Sequence, residues 1–117
     1  MKLTLLRHGE TEGSRNGLYY GAADIPVLPE SLEELKKRAA GGVYPTGKRY
    51  YTSGMLRAEQ TLRAIYGDVP FTVLPGLREM DFGDFEMRPY TGDLEHDQAF
   101  RAWAEDGEHN ACPNGES

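Results

Sequence analysis

Residues 7–9, Arg-His-Gly, place a cation, an imidazole and a glycine at three consecutive positions. Arg7 offers a fork of donors to the oxygens of an anion. His8 can attack phosphorus when its imidazole is neutral, and Gly9 lets the backbone come close to a small anion. The pattern is typical of phosphate chemistry.

A short apolar run precedes this turn and would position it. The run from Lys2 to Leu6 predicts a strand that is buried on both faces and ends at the Arg-His-Gly turn. Ligands of open α/β sheets bind at the ends of strands. We therefore expect His8 to lie at a ligand-binding edge of a sheet.

The rest of the chain alternates between strand and helix patterns. Two strands and three helices are predicted, in chain order at about residues 29–40, 49–52, 53–66, 71–74 and 93–105. The segments 12–28 and 75–91 are predicted to be loops. This alternation favours an α/β fold with a mostly parallel sheet flanked by helices.

The starts of the first two predicted helices depend on their capping residues. Ser31 and Glu34 have the spacing of a capping box, whereas Pro29 equally suits the first helical position. Ser53 is the predicted cap of the second helix, and Leu56 is expected on its inner face.

Composition limits the class of protein. A chain of 117 residues is one domain or part of one, and 38% hydrophobic with 27% charged residues is an ordinary composition for a folded protein. The net charge of −6 argues against a general nucleic-acid binder. No apolar stretch is long enough to span a membrane. The single cysteine, Cys112, excludes an internal disulfide, so we expect a cytoplasmic protein.

Two further charged residues follow predicted strands. Arg57 falls in the first turn of the second helix, and Glu79 lies just beyond the strand at 71–74. A helix N-terminus favours an anion because its free N–H groups point outward. Neighbouring parallel strands would bring both residues to the sheet edge that carries His8.

Three ordered motifs carry a resemblance that extends over essentially all 117 residues. They are LLRHGET at residues 5–11, a serine followed by RAEQT within 53–61, and LREMDFGDFE at 77–86. Together they resemble the histidine phosphatase superfamily, which has the phosphoglycerate-mutase-like fold. Residues 79–88 most resemble its α-ribazole phosphatase branch of cobalamin biosynthesis. The mutase branch has a different sequence and a longer insertion after its acidic residue.

The resemblance implies roles for four charged or titratable residues. His8 would take the phosphoryl group as a phosphohistidine, while Arg7 and Arg57 would hold the phosphate oxygens. Glu79 would protonate the leaving alkoxide and then activate water. These roles agree with the need of phosphoryl transfer for positioned cations and an in-line nucleophile.

The resemblance also implies how substrate is bound. Ser14 and Gly21 lie where related enzymes contact substrate oxygens, although Ser14 stands where asparagine is common and has a shorter reach. Neither a metal ion nor a cofactor is implied. The expected partner is a small phosphate ester, with no nucleic acid and no membrane, and a homo-oligomer stays open.

One part of the family pattern has no counterpart here. The superfamily completes its phosphate pocket with a second histidine after a later strand, whereas His96 falls on a predicted helix and His109 in a polar segment. The resemblance therefore implies that residues 1–117 are the N-terminal portion of a single histidine phosphatase domain. We expect these residues by themselves to turn over little substrate.

Two classes of function remain open from the sequence. The first is a metal-independent phosphomonoesterase that acts through a phosphohistidine on α-ribazole 5'-phosphate or a related small metabolite. The second is a phosphate-binding or interaction module of the same fold without turnover. A phosphoglycerate mutase is a further alternative.

Overall fold

A computed structural model describes residues 1–89 and 97–116 of the chain. The helices are α1 (Glu12–Arg15), α2 (Pro29–Ala40), α3 (Leu56–Tyr66) and α4 (Gln98–Glu105), and the strands are β1 (Tyr51–Thr52) and β2 (Thr72–Val73). Two 3₁₀ turns span Pro75–Leu77 and Gly83–Phe85. Within the described ranges, no helix has the length and apolar character needed to cross a membrane.

The chain divides into two compact units. The first comprises Met1–Glu12 and Ile25–Arg78, and the second comprises Gly13–Asp24 with the described residues from Glu79 onwards. The first unit holds α2, α3 and both strands, whereas the second holds α4. The prediction that residues 1–117 belong to a single domain stays a prediction.

The sheet of the first unit is parallel, as predicted. Tyr51 of β1 pairs with Thr72 of β2, and the amide of Leu74 donates to the carbonyl of Thr52 at 2.8 Å. The helices α2 and α3 contact each other, and each contributes a buried leucine, Leu35 and Leu62 respectively. The predicted α/β class with parallel strands is confirmed.

Helix α2 begins at Pro29, so one of the two predicted starts is confirmed and the capping box is wrong. Leu28 is the N-cap residue, and no side chain caps the helix. The hydroxyl of Ser31 instead accepts a hydrogen bond from the amide of Glu10 at 2.9 Å. Because this hydroxyl is bonded to Glu10, it does not cap α2. The fixed φ of Pro29 instead favours the start of the helix.

Helix α3 begins later than predicted. Met55 is its N-cap residue, and the Ser53 hydroxyl accepts from the Met55 amide at 3.3 Å in the turn that precedes the helix. Leu56, expected on the inner face, is 38% exposed because it occupies the first helical position, ahead of the buried stripe. The predicted stop is confirmed, since Gly67 follows the helix with φ of +73°.

The predicted strand from Lys2 to Leu6 is wrong for this structure. Residues 1–10 form neither helix nor strand, and Leu3 and Leu5 are 74% and 83% exposed. Among residues 1–89 and 97–116, the sheet consists of β1 and β2 alone. A buried strand needs a neighbour to satisfy its amides and carbonyls, and the described residues supply none to this segment.

Short helices interrupt the two predicted loops. Helix α1 lies within 12–28, and both 3₁₀ turns lie after β2. Such turns are too short for an apolar period to reveal them. Helix α4 begins at Gln98, with the Asp97 carboxylate accepting from the amide of Phe100 at 3.1 Å. Residues 93–96 of the helix predicted there, His96 included, lie outside the described residues.

The core of the second unit is aromatic. Phe85 and Cys112 are buried at its centre. The half-buried rings around them belong to Tyr19, Phe82, Phe100 and Trp103. Ring centroids in this cluster lie 5.3 Å apart for the closest pair, which is the spacing of tilted aromatic contacts.

We expect the Cys112 thiol to be chemically inert in the folded chain. Burial raises the pKa of this thiol, and the negative charges of Asp81 and Glu86 raise it further. The thiolate is the reactive form. Iodoacetamide at neutral pH should therefore alkylate the native protein more slowly than the protein in urea, and equal rates would contradict this. Since the folded pKa is raised, ionisation of Cys112 should lower stability as pH rises above the ordinary thiol pKa.

Candidate functional site

The ring of His8 is oriented by its neighbour in the chain. Its Nδ1 lies 2.7 Å from the carbonyl oxygen of Gly9. A carbonyl only accepts, so Nδ1 carries the proton and donates. In the neutral ring the lone pair then belongs to Nε2. This is the tautomer that a nucleophilic imidazole needs.

A single hydroxyl links the His8 turn to helix α3. The amide of Gly9 donates to Oγ1 of Thr61 at 2.9 Å, and the same Oγ1 donates to the carbonyl of Arg57 at 2.8 Å. Thr61 is buried. The backbone that follows the imidazole is therefore fixed to the helical turn that carries Arg57.

Helix α2 holds the other side of the same turn. The amide of Glu10 donates to Ser31, and the carbonyl of Glu10 accepts from the amide of Leu28 at 2.9 Å. Gly9 is closely surrounded, because a Cβ there would lie 2.8 Å from Val27 Cγ1. We conclude that a larger residue at position 9 would displace the turn.

Arg57 occupies the position predicted for it. It is the second residue of α3, the helix that follows β1, and it is only 2% exposed. Burying a guanidinium is costly unless its donors are bonded, and a helix N-terminus is a favourable place for an anion. Arg7 differs, since it is exposed in the segment without regular structure that precedes His8.

The remaining predicted site residues lie in the second unit. Glu79 is exposed and begins the segment between the two 3₁₀ turns, whereas Ser14 is half-buried in α1 and Gly21 is buried. Because His8 and Arg57 belong to the first unit, the convergence of Glu79, Ser14 and Gly21 with them stays a prediction.

A residue of the second unit, Glu86, was not singled out from the sequence. Its Oε1 accepts from the amides of Gly21 at 2.9 Å, Ala22 at 2.8 Å and Phe82 at 3.1 Å. Its Oε2 accepts from the amide of Ala23 at 3.4 Å. The amides at 21–23 are distant from Glu86 in sequence, and neither periodicity nor composition signals these contacts. Only the position of Glu86 at the end of the third motif pointed to it.

The described histidine after position 8 lies on the surface of the second unit. Nδ1 of His109 is 2.9 Å from Oδ1 of Asp106, and both side chains are largely exposed. His109 lies in a turn after α4, which agrees with the prediction that it follows no strand. His96 lies outside the described residues.

Two segments of the second unit approach each other closely at Gly21. A Cβ at position 21 would lie 1.8 Å from the carbonyl oxygen of Met80, which is backbone and cannot rotate away. Gly21→Ala should therefore lower the free energy of unfolding by about 1–3 kcal/mol. Urea denaturation measures this. The control is Gly76→Ala, since a Cβ at Gly76 meets nothing within 4 Å. Equal midpoints for the two variants would refute the close approach.

A comparison with models of protein families shows to which family the chain belongs. The model of the histidine phosphatase superfamily (branch 1) matches residues 3–117. The chain belongs to the histidine phosphatase superfamily. The turn at His8 and the buried Arg57 are thus parts of a histidine phosphatase chain, and the predicted phosphoglycerate-mutase-like fold is confirmed.

Individual histidine phosphatases resemble the chain over almost its whole length. The adenosylcobalamin/α-ribazole phosphatase of Salmonella typhimurium is 38% identical over 120 residues, covering 99% of this chain and 59% of the relative. The crystal structure of the α-ribazole phosphatase from Shigella flexneri matches with a TM-score of 0.82 at 32% identity, covering 96% of this chain and 57% of that one.

A phosphoglycerate mutase is also similar to the chain. The 2,3-bisphosphoglycerate-dependent phosphoglycerate mutase of Xanthobacter autotrophicus is 32% identical over 130 residues, covering 98% of this chain. The chain spans 59% of the length of each of these two curated relatives, the Salmonella phosphatase and the Xanthobacter mutase.

Proposed function

We propose that the protein hydrolyses phosphomonoesters through a phosphohistidine intermediate, with α-ribazole 5'-phosphate as its substrate. The observation that carries the proposal is the hydrogen bond from Nδ1 of His8 to Gly9, because it leaves the nucleophilic lone pair on Nε2. The similar α-ribazole phosphatases of Salmonella and Shigella support the choice of substrate.

In the first step, Nε2 of His8 attacks phosphorus in line with the ester oxygen. A P–N bond forms as the P–O bond breaks, and the Glu79 carboxylic acid gives its proton to the departing alkoxide. Arg7 and Arg57 hold the non-bridging oxygens, where negative charge is spread in the transition state.

In the second step, water attacks the phosphohistidine. The Glu79 carboxylate takes a proton from this water, the P–N bond breaks, and inorganic phosphate leaves neutral His8 behind. The cycle returns Glu79 to its protonated form, so no proton is gained or lost by the protein. The mechanism requires the carboxyl of Glu79 to face the imidazole of His8.

The proposal is tested with the full-length natural protein, p-nitrophenyl phosphate and α-ribazole 5'-phosphate, each with and without EDTA. We expect both esters to be hydrolysed, α-ribazole 5'-phosphate with the higher kcat/KM, and no effect of EDTA. A folded protein that hydrolyses neither ester would refute the proposal in favour of a phosphate-binding module. Preference for another phosphate ester would refute the substrate.

The mutase relatives favour one second candidate, transfer of a phosphoryl group between positions of phosphoglycerate. The two reactions differ in what accepts the phosphoryl group from His8, water or a second hydroxyl. Incubation with 3-phosphoglycerate and 2,3-bisphosphoglycerate separates them, because a mutase yields 2-phosphoglycerate whereas a phosphatase releases inorganic phosphate.

We also propose a partner, a cofactor requirement and a location for the enzyme. A small phosphate ester is its partner, and neither a metal ion nor a cofactor takes part. We also propose a cytoplasmic location, which the presence of a single cysteine in the sequence supports.

A further inference from the structure

The segment that carries Glu79 lacks regular backbone hydrogen bonds of its own. Residues 79–82 form neither helix nor strand and lie between the 3₁₀ turns Pro75–Leu77 and Gly83–Phe85. Backbone outside regular structure must be fixed by side chains or by other loops. The position of the Glu79 carboxyl therefore depends on contacts made by neighbouring residues.

The Glu86 carboxylate supplies such contacts. It accepts from the amide of Phe82, within this segment, and from the consecutive amides of Gly21, Ala22 and Ala23. Successive amides that converge on one anion form a nest, and hydrogen bonds to a carboxylate are stronger than those to a neutral acceptor. The half-buried Glu86 carboxylate thus joins two segments, 21–23 and 79–82, that form neither helix nor strand.

The second segment in turn lies directly against the residue that follows Glu79. At Gly21 the backbone approaches the carbonyl of Met80 so closely that a Cβ would lie 1.8 Å from its oxygen. Moving residues 21–23 would therefore move the Met80 peptide, and Glu79 with it. Glu86 acts on this arrangement from both sides, through Phe82 and through Gly21.

We infer that Glu86 is a positioning residue that holds the proton-transfer residue Glu79 in its working place. The inference rests on the proposed function, in which Glu79 protonates the leaving group. Glu86 itself makes no contact with the reacting atoms in this scheme. In the first step, its effect should appear only with a leaving group that needs the proton of Glu79.

The test compares leaving groups in the Glu86→Gln variant of the full-length protein. Glutamine fills the same volume, but its NH2 group would face amide donors where Oε2 now accepts from Ala23. We expect kcat/KM for α-ribazole 5'-phosphate, which reports formation of the phosphohistidine, to fall about 10- to 100-fold, the cost of a small misplacement of a catalytic group. For p-nitrophenyl phosphate, whose phenolate leaves without a proton, kcat/KM should change less than about threefold, whereas kcat also contains the second step, in which Glu79 acts on water.

Two comparisons separate positioning from general support of the fold. Glu79→Gln should show the same dependence on the leaving group. The matched control is Asp84→Asn, because the exposed Asp84 carboxylate accepts only from the Asn114 side chain among the hydrogen bonds described. Asp84→Asn should change the rate of hydrolysis of neither ester. An equal loss of kcat/KM on both esters in Glu86→Gln would overturn the inference, since it would indicate a smaller folded fraction.

A second readout does not depend on turnover. Amide hydrogen exchange of Gly21 and Ala22 should be faster in Glu86→Gln than in the unmodified protein and unchanged in Asp84→Asn. If Glu86→Gln does not fold, Glu86→Asp, which keeps the charge but shortens the reach, should show both effects. Unchanged exchange would overturn the inference. Lack of turnover in the unmodified protein would count against the proposed function instead, and exchange would still decide whether Glu86 holds the loop.

Discussion

His8→Ala should abolish hydrolysis of phosphate esters, with a loss in kcat/KM of at least about 1,000-fold. The hydrogen bond from Nδ1 to Gly9 commits Nε2 to act as the nucleophile. Without that nitrogen no P–N bond forms, and the remaining cations can only bind phosphate. Affinity for inorganic phosphate should therefore persist in the variant that no longer turns over.

The measurement follows steady-state hydrolysis and, separately, phosphate covalently trapped on the protein after rapid acid-free denaturation. Acid-labile, base-stable labelling is expected in the unmodified protein and not in His8→Ala. The control is His109→Ala, because His109 is an exposed partner of Asp106 and should leave both readouts unchanged. If His8→Ala retained most of the activity, another group would have to be the nucleophile.

Arg57→Lys should lower kcat/KM by about 100- to 1,000-fold. Lysine keeps the positive charge but cannot offer the planar fork that binds two phosphate oxygens at once. Arg57 is buried in the first turn of α3. In a buried position, a water molecule cannot bridge the gap between the lysine ammonium group and the phosphate oxygens. The loss should appear with p-nitrophenyl phosphate as well, since the phosphoryl group is common to all esters.

A matched control for this change lies on the same helix. Arg63 is exposed and stands over the ring of Phe71, with its guanidinium carbon 5.6 Å from the ring centroid. Arg63→Lys should leave kcat/KM unchanged. Urea denaturation of both variants shows whether they are folded, and a fully active Arg57→Lys would refute phosphate binding by this residue.

The helices could be predicted because their signals are local. The sequence pattern places α2 at 29–40, and the structure has it at Pro29–Ala40, since proline starts it and glycines end it. The caps could not be predicted in the same way. The hydroxyl of Ser31 accepts from Glu10, a partner far along the chain that local reasoning cannot reveal, and that of Ser53 accepts from the nearby Met55 in the turn before α3.

The strand predicted at Lys2–Leu6 and the contacts of the site depend on residues far apart in the chain, so local patterns could not predict them. Burial of an apolar run depends on a neighbour, and the described residues place none beside Leu3 and Leu5. Residue types single out His8 as a candidate although the strand expected before it is not formed, whereas the candidate Arg57 does follow a strand, β1. The hydroxyl bridge of Thr61 depends on residues far apart in the chain, so only the fold reveals it.

That bridge gives a criterion for judging divergent relatives. Valine has nearly the shape of threonine, so a valine at position 61 would preserve packing while removing both the acceptor for Gly9 and the donor to Arg57. Serine would keep both. During evolutionary drift, a homologue could thus lose its chemistry through a substitution that leaves histidine, arginine and glutamate intact. Position 61 is therefore where a degenerate, non-hydrolysing descendant should first be sought.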